Sequence, residues 1–334
     1  MNSKILGGNA KTDSWCLNRR AFLSASAVGY AALCSGAARV HSRDTTKHSV
    51  LDLKPGVKHL FLDDVVVAKT TRLQRVVHQP RKYSRNPVIR PEYPWEADSI
   101  QIRSGPLWNP EERRWEIRYF ASGAGTCLAI SRDGLTWEKP FLGRFEFQGS
   151  KENNLAHPLG SMDDFLYHVI YDSRDADPQH RWRALIGERN PRPAASPDGF
   201  SWEFLSEKRI TSGEESFLVF DELAEEFVFT CRTAIDKGFG RHRAVNLSVS
   251  RDFVNWTEPE LLFYADGRDQ ELGKKWLERH LANPVMRKPL LNNPDQWNAQ
   301  VYNMSVFPYE GLYIGLPTLF RSCGQDDTTP AGDG

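Results

Sequence analysis

The chain has 334 residues, and its 43 basic and 43 acidic side chains balance to zero net charge, with an isoelectric point near 7.1. Nothing in that balance suits a nucleic-acid backbone or an acidic surface, so no nucleic-acid partner is expected. Hydrophobic residues make up 40 %, with 10 Trp, 10 Tyr and 18 Phe, which fits a globular protein built from aromatic-rich strands and argues against disorder outside the ends.

Residues 1–38 have the form of a twin-arginine-type export signal. Arg19-Arg20 precede Phe22-Leu23, a mildly apolar run comes next, and small residues end it, with cleavage expected near Ala37 or Ala38. The run is too short and too rich in Ala and Ser for a membrane span, so a periplasmic or extracellular protein without stable membrane insertion is expected. Cleavage leaves Cys127, Cys231 and Cys323, widely spaced and without C-x-x-C, of which Cys127 and Cys231 sit in apolar strand-like runs and read as buried free thiols.

A polar linker over 39–49 leads to an ordered domain expected over 50–320. The run 60–67 has strand character and suits the closing strand of a propeller ring. The proline-rich segment from Asn86 to Asp98 is unsuited to a central strand and reads as a crossing at one end of the domain. Strands are expected over 100–106, 114–121 and 127–131, with the stretch after Trp137 as the fourth of that unit.

Here the chain spells Ser131-Arg132-Asp133-Gly134-Leu135-Thr136-Trp137, a word that returns as Ser196-Pro197-Asp198-Gly199-Phe200-Ser201-Trp202 and, looser, as Ser250-Arg251-Asp252-Phe253-Val254-Asn255-Trp256. Recurrence about every 55 to 65 residues marks a repeated β unit. Locally, Asp and Ser bond nearby backbone N–H groups, Gly takes a positive φ, and Trp anchors the start of the next strand. Three such units, strands over 302–309 and 312–320 opening a fourth, and a surface helix over 270–281 with Leu272, Trp276 and Leu277 on one side complete the pattern. The fold class expected is all-β, a five-bladed β-propeller with only about three and a half blades in this chain, a C-terminal truncation, and a disordered tail over 321–334.

No H-E-x-x-H, no close His/Cys cluster, no P-loop, no dinucleotide fingerprint and no G-x-S-x-G is present, so no metal, nucleotide or redox cofactor is expected. What remains is acids at equivalent places in successive blades, converging where inner strands meet: Glu96 and Asp98 in the first, Asp163 and Asp164 in the second, Glu214 and Glu215 in the third. Grouped carboxyls, one protonated and one ionised, are what glycoside hydrolysis needs. Arg103, Arg232 and Arg243 suit a hydroxyl or carboxylate in that channel, and Trp95, Trp108 and Tyr302 suit a sugar face or packing between blades. The substrate-binding set expected is Trp95, Glu96, Arg103, Arg232 and Tyr302.

With the Asn86-Pro87 segment, the repeated word, Asn153-Asn154, Asp177-Pro178, Phe307-Pro308-Tyr309-Glu310-Gly311 and Tyr313-Ile314-Gly315-Leu316, the chain resembles bacterial exported proteins related to five-bladed β-propeller glycoside hydrolases, similar to families 32, 43 and 130. The resemblance implies a carbohydrate substrate, with Asp98 as base or nucleophile, Asp163 or Asp164 as the group tuning its partners, and Glu214 or Glu215 as general acid. Several features depart from those families. Ser99 comes after Asp98 where family 43 carries Pro, W-x-N-D-P-x-G and an acidic Glu-Cys pair are missing, and the Gly of the repeated word stands one residue earlier than in the sialidase Asp box. A non-catalytic carbohydrate-binding propeller and an inactive truncated fragment are the alternatives.

Overall fold

The computed structural model describes residues 78–97 and 99–324, together with 55, 56, 58, 60, 67 and 69–76. The export segment, the linker, most of 60–67, Asp98 and the stretch beyond 324 lie outside the described residues.

Strands dominate, in four antiparallel sheets that succeed one another along the chain. The first holds β1 (Ile100–Gln101), β2 (Leu107–Asn109), β3 (Arg114–Ala121), β4 (Gly125–Ser131) and β5 (Leu155–Pro158), with β1 and β2 sharing one edge of β3. The second runs β6 (Leu166–Tyr171), β7 (Trp182–Ile186), β8 (Arg192–Ser196) and β9 (Glu203–Phe204), and the third β10 (Ser216–Asp221), β11 (Glu226–Asp236), β12 (Arg241–Ser250) and β13 (Glu260–Phe263). A hairpin of β14 (Asn298–Tyr309) and β15 (Leu312–Ser322) forms the fourth. This is the blade-by-blade, all-β order expected of a partial propeller. The fourth strand of the first blade is β5, because Glu138 makes only an isolated bridge to Ile130 where the sequence suggests a strand after Trp137.

Each sheet packs on the next. Leu166, Trp182 and Ala184 bury against Leu107 of the first blade; Leu185 of the second joins Leu218, Phe227, Phe229 and Trp256 of the third; Val245 of the third meets Ala299, Val301 and Val306 of the hairpin. Polar bonds cross each seam: among them, Thr126 Oγ1 donates to Leu166 O (3.1 Å), His168 Nε2 pairs with Ser216 Oγ (2.8 Å), and Thr230 Oγ1 donates to Met304 O (2.7 Å). Bonds of this kind satisfy polar groups that the seam buries, and they fix the angle between blades.

The repeated word takes one geometry three times. Asp133 Oδ1 accepts from the N–H groups of Leu135 (2.8 Å) and Thr136 (2.7 Å), Asp198 Oδ1 from Phe200 (2.9 Å) and Ser201 (2.8 Å), and Asp252 Oδ1 from Val254 (2.9 Å) and Asn255 (2.7 Å). Gly134 and Gly199 sit at φ 72° and 75°, and Phe253 holds the same left-handed conformation at 66° without being glycine. The word also locks blades together. Arg118 on β3 donates to Gly199 O (3.2 Å) between Trp182 and Phe200, and Arg183 on β7 donates to Asp252 O (2.9 Å) beside Phe227 and Phe253. In the first two blades, an arginine of the strand thus reads the turn of the next blade.

Between the third sheet and the hairpin, α1 (Gly267–Ala282) starts three residues earlier than expected because Asp266 caps it, accepting from Arg268 N (2.9 Å) and Asp269 N (3.1 Å). Its buried positions are Asp269, Gly273 and Leu277, while Leu272 and Trp276 are exposed. The stripe is turned because Gly273 lies against β14, where an added Cβ would stand 3.0 Å from Ala299 Cβ, and Gln270 bonds both backbone groups of Ala299. Cys127 and Cys231 are buried free thiols, and burial pushes both up to about 12. Among the described residues, no helix is long and apolar enough to cross a membrane.

Candidate functional site

In an antiparallel blade, the residues preceding the first strand and those just after the second share one end. Gly187 N donates to Phe165 O (2.8 Å) at that end of the second blade, and Gly213 N donates to Arg232 O (2.8 Å) in the third. The residues at or next to these contacts include Glu188, Glu214, Glu215 and Arg232.

They meet there, together with Arg103 arriving just after β1. Arg103 Nη1 lies 3.0 Å from Glu215 Oε1 and 3.6 Å from Glu188 Oε1, so one guanidinium nitrogen bridges carboxyls of two blades. Their nearest oxygens therefore lie well inside the roughly 9.5 Å upper limit for a carboxyl pair flanking a scissile glycosidic bond. Glu214 pairs with Arg232 and, at 2.9 Å, with Arg189. Side-chain exposures of 11 %, 13 % and 10 % for Glu188, Glu214 and Glu215 leave each of these acids mostly buried. Behind them, Arg103 stacks over Tyr167 (5.0 Å), and Arg232 and Arg243 lie 5.8 and 5.4 Å from the Tyr302 ring centroid.

Two features separate this cluster from ordinary surface ion pairs. Burial raises the Glu188 carboxyl above the usual range, and Glu214 and Glu215 reinforce that against the opposing pull of Arg103 and Arg189. Glu215 holds φ 65°, a left-handed conformation that costs a non-glycine residue about 1 kcal/mol or more and that concentrates at functional sites. Gly213 is needed for close approach, since a Cβ there would stand 3.1 Å from Arg232 Nε and 3.2 Å from its carbonyl oxygen.

Of the residues singled out in the sequence, Arg103, Glu214, Glu215, Arg232 and Tyr302 come together here. Asp98 lies outside the described residues. Asp163 is exposed and forms an ion pair with Arg209 (3.1 Å), and Asp164 accepts from Ser161 Oγ (2.9 Å), so each carboxyl has a partner other than the arginines of the cluster. Both belong to a short 3-10 turn capped by Ser161.

Trp95 and Glu96 correct the expectation of substrate contact, since both are buried inside the first blade. Trp95 stacks on Tyr93 (4.5 Å) and donates to Asn154 Oδ1 (2.7 Å). Glu96, fully buried, receives Tyr119 OH (2.5 Å), Lys139 Nζ (2.8 Å) and the backbone N–H groups of Glu92 (2.6 Å) and Tyr93 (3.0 Å). Burial works to raise its carboxyl, but Lys139, Tyr119 and the two amides outweigh that and hold it below the usual range. Trp108 packs edge-on against Trp115 (5.2 Å) on the first sheet.

Glu188 was not among the sequence candidates. The usable signal was pairing: once β6 and β7 are read as a hairpin, the residue after β7 must lie beside those before β6. Among the described residues no group of three or more His, Cys, Asp and Glu is arranged to hold a metal ion.

No protein-family model matches the chain, and no curated protein matches it. Solved structures similar to it include an N-acetylgalactosamine deacetylase from F. plautii in complex with blood group B trisaccharide, at 14 % identity over 67 % of this chain and 62 % of that one, with a TM-score of 0.35. An alpha-L-arabinofuranosidase from Clostridium thermocellum is similar at 12 % identity over 64 % of this chain and 61 % of that one, TM-score 0.33. An Aspergillus kawachii beta-fructofuranosidase is similar at 13 % identity over 48 % of this chain and 30 % of that one, TM-score 0.30. The chain spans less than two thirds of the length of each of these three proteins.

Proposed function

We propose that this is an exported glycoside hydrolase-like protein that cleaves a glycosidic bond of an oligosaccharide or polysaccharide by carboxyl acid/base chemistry. The observation that carries the reading is the bridge from Arg103 to Glu188 and Glu215, which holds two carboxyls of different blades at one mouth, one of them with a raised proton affinity.

The role of each group comes from its surroundings. Glu188 retains its proton to higher pH than an ordinary glutamate and donates it to the leaving glycosidic oxygen. Glu215, ion-paired with Arg103, is the ionised partner that supports positive charge developing at the anomeric carbon. Glu214 anchors Arg189 and Arg232 and shapes the field around the other two. The family resemblance assigned the acid to Glu214 or Glu215; the raised carboxyl is the reason for giving that role to Glu188. Asp98, two residues before β1, remains the candidate base or nucleophile of the first blade. The arginine pair and small-residue run at the N-terminus support export.

The test is release of reducing sugar from a panel of aryl glycosides and plant or algal polysaccharides by the full chain, with Glu188→Gln as the control. Turnover that falls about 100-fold or more in the variant supports the assignment. Turnover unchanged by it removes Glu188 from the chemistry. Sugar binding without turnover on any member of the panel favours a carbohydrate-binding propeller instead.

A further inference from the structure

The two carboxyls that Arg103 bridges come from different blades, so their spacing depends on how the inner strands β6 and β10 sit against each other. Glu188 stands two residues past β7, the partner of β6, and Glu215 stands immediately before β10. Among the described residues, the hydrogen bond that joins β6 to β10 is His168 Nε2 to Ser216 Oγ (2.8 Å), and Ser216 is the residue next to Glu215. Asn190 also ties the two blades, accepting from Ser212 N (2.9 Å), but Gly213 stands as a permissive joint between that anchor and the acids.

The choice of histidine here is not explained by packing. His168 is 3 % exposed, its ring lies edge-on to Tyr167 (6.3 Å) and Phe229 (6.0 Å), and its Nδ1 has no hydrogen-bond partner. Burial, helped by the Arg103 charge, pushes the imidazole down to about 3, so the ring is neutral at any working pH. A phenylalanine would fill the same space without burying an unsatisfied polar atom. What the histidine adds is its bond to Ser216. Glu215 itself is in a left-handed conformation (φ 65°), which persists only where the surroundings hold it. Arg232 N grips its carbonyl from β11 (3.2 Å), and the Ser216 bond grips the next residue from β6.

We propose that His168 is a positioning residue: through Ser216 it holds Glu215 opposite Glu188 and fixes the spacing of the two carboxyls. The catalytic consequence rests on the glycosidase reading, whereas the placement of Glu215 is measurable without turnover.

The test uses the full chain with Ser216→Ala, Ser216→Thr, His168→Phe and the double variant Ser216→Ala/His168→Phe. Kinetics on a glycoside that the wild type hydrolyses are joined to an NMR titration of glutamate carboxyl carbons in isotope-labelled protein, the Glu188 signal being assigned with Glu188→Gln. Ser216→Ala and His168→Phe should each lower kcat about tenfold with KM within about twofold, and the double variant should lose no more than either. Ser216→Thr, which keeps the hydroxyl, should restore most of the loss. In Ser216→Ala the Glu188 carboxyl should titrate lower by about half a pH unit, because a displaced Glu215 and an Arg103 turned toward Glu188 both favour the ionised form. His168→Phe keeps the ring packing, and Ser216→Ala removes one oxygen at a strand end, so each checks the other should one fail to fold. An unchanged kcat and an unchanged Glu188 titration in folded Ser216→Ala overturn the proposal, whatever its melting temperature; so does a loss confined to KM, or an equal loss in Ser216→Thr. The two readings fail separately. A Glu188 titration that responds to Ser216→Ala in a protein that hydrolyses no glycoside sinks the hydrolase and leaves the positioning of Glu215, whereas hydrolysis untouched by Ser216→Ala sinks the positioning alone.

Discussion

Replacing Glu96 by glutamine separates a structural from a substrate-binding role for the most buried acid of the first blade. Both carboxylate oxygens are in use: Oε2 takes the amides of Glu92 and Tyr93, Oε1 takes Tyr119 OH, and Lys139 Nζ lies 2.8 Å from Oε1 and 3.0 Å from Oε2. A glutamine can keep its oxygen on the amides and turn its NH2 toward Tyr119, whose hydroxyl can then accept. Lys139 keeps its hydrogen bonds to the retained oxygen and to Arg90 O (2.5 Å) but loses the charge of its buried partner, because its side chain is 5 % exposed and its remaining acid, Glu92, is 3.3 Å away and itself 62 % exposed. Breaking a buried ion pair from one side costs about 3 to 5 kcal/mol, and the surviving Glu92 contact puts the expectation near the lower end, about 3 kcal/mol. For a chain of 334 residues, whose unfolding entropy is about 2.1 cal/mol/K per residue, that corresponds to a fall in Tm of roughly 4 °C. Urea unfolding of wild type, Glu96→Gln, Lys139→Met and the double variant measures it, and the double variant should recover at least about half of the single-variant loss.

The pH dependence has a definite sign. The folded Glu96 carboxyl titrates below the ordinary value of 4.5, so its contribution is complete above that pH and is lost as pH falls through the folded value. The gap between wild type and Glu96→Gln should therefore close below about pH 4.5 and stay constant from there to neutrality. A stability loss under about 1 kcal/mol, with a raised KM, would refute the structural role and return Glu96 to the substrate.

Two further expectations concern the fold. Phe253, fully buried at φ 66° against Phe227 (4.9 Å) and Trp256 (5.5 Å), should lose about 3 to 5 kcal/mol as Phe253→Ala; Phe253→Gly should be no worse despite the missing methyl, since alanine pays for the left-handed backbone and glycine does not. A glycine variant clearly less stable in urea than the alanine variant would contradict that. Gly125→Ala should cost about 4 kcal/mol or more or abolish soluble expression, because φ is 130° and the new Cβ would stand 2.5 Å from His157 O and 2.6 Å from Leu159 N; near-wild-type melting would contradict it.

The repeated word makes the blade order legible in the sequence, because Ser, Asp and Gly act on their own backbone and their spacing alone specifies the turn. Phe253 shows the limit of that local code: the same turn forms without glycine because the ring has a pocket between Phe227 and Trp256, which spelling does not reveal. Residues that meet only through pairing were harder. Glu188 lies just past β7 and joins the site because β6 and β7 are antiparallel, whereas Asp163 and Asp164, in an equally suggestive position, take Arg209 and Ser161 as partners in a 3-10 turn. Trp95 and Glu96 look like a sugar platform and an acid in the sequence. Asn154 and Lys139, some 59 and 43 residues away, make them a core anchor and a buried ion pair. The packed face of the helix is likewise hidden from its apolar spelling, since Gly273 lies against β14 although it contributes no side chain.

The central claim is that Glu188 donates a proton to the departing sugar oxygen. Comparing wild type with Glu188→Gln on a hydrolysed glycoside carrying, in turn, a 2,4-dinitrophenyl and an alkyl leaving group tests it most directly. A dinitrophenolate leaves without protonation, so the variant should keep nearly full kcat/KM on that substrate and lose about 100-fold or more on the alkyl glycoside. Equal losses on both substrates, or none on either, would contradict the assignment of Glu188 as the acid.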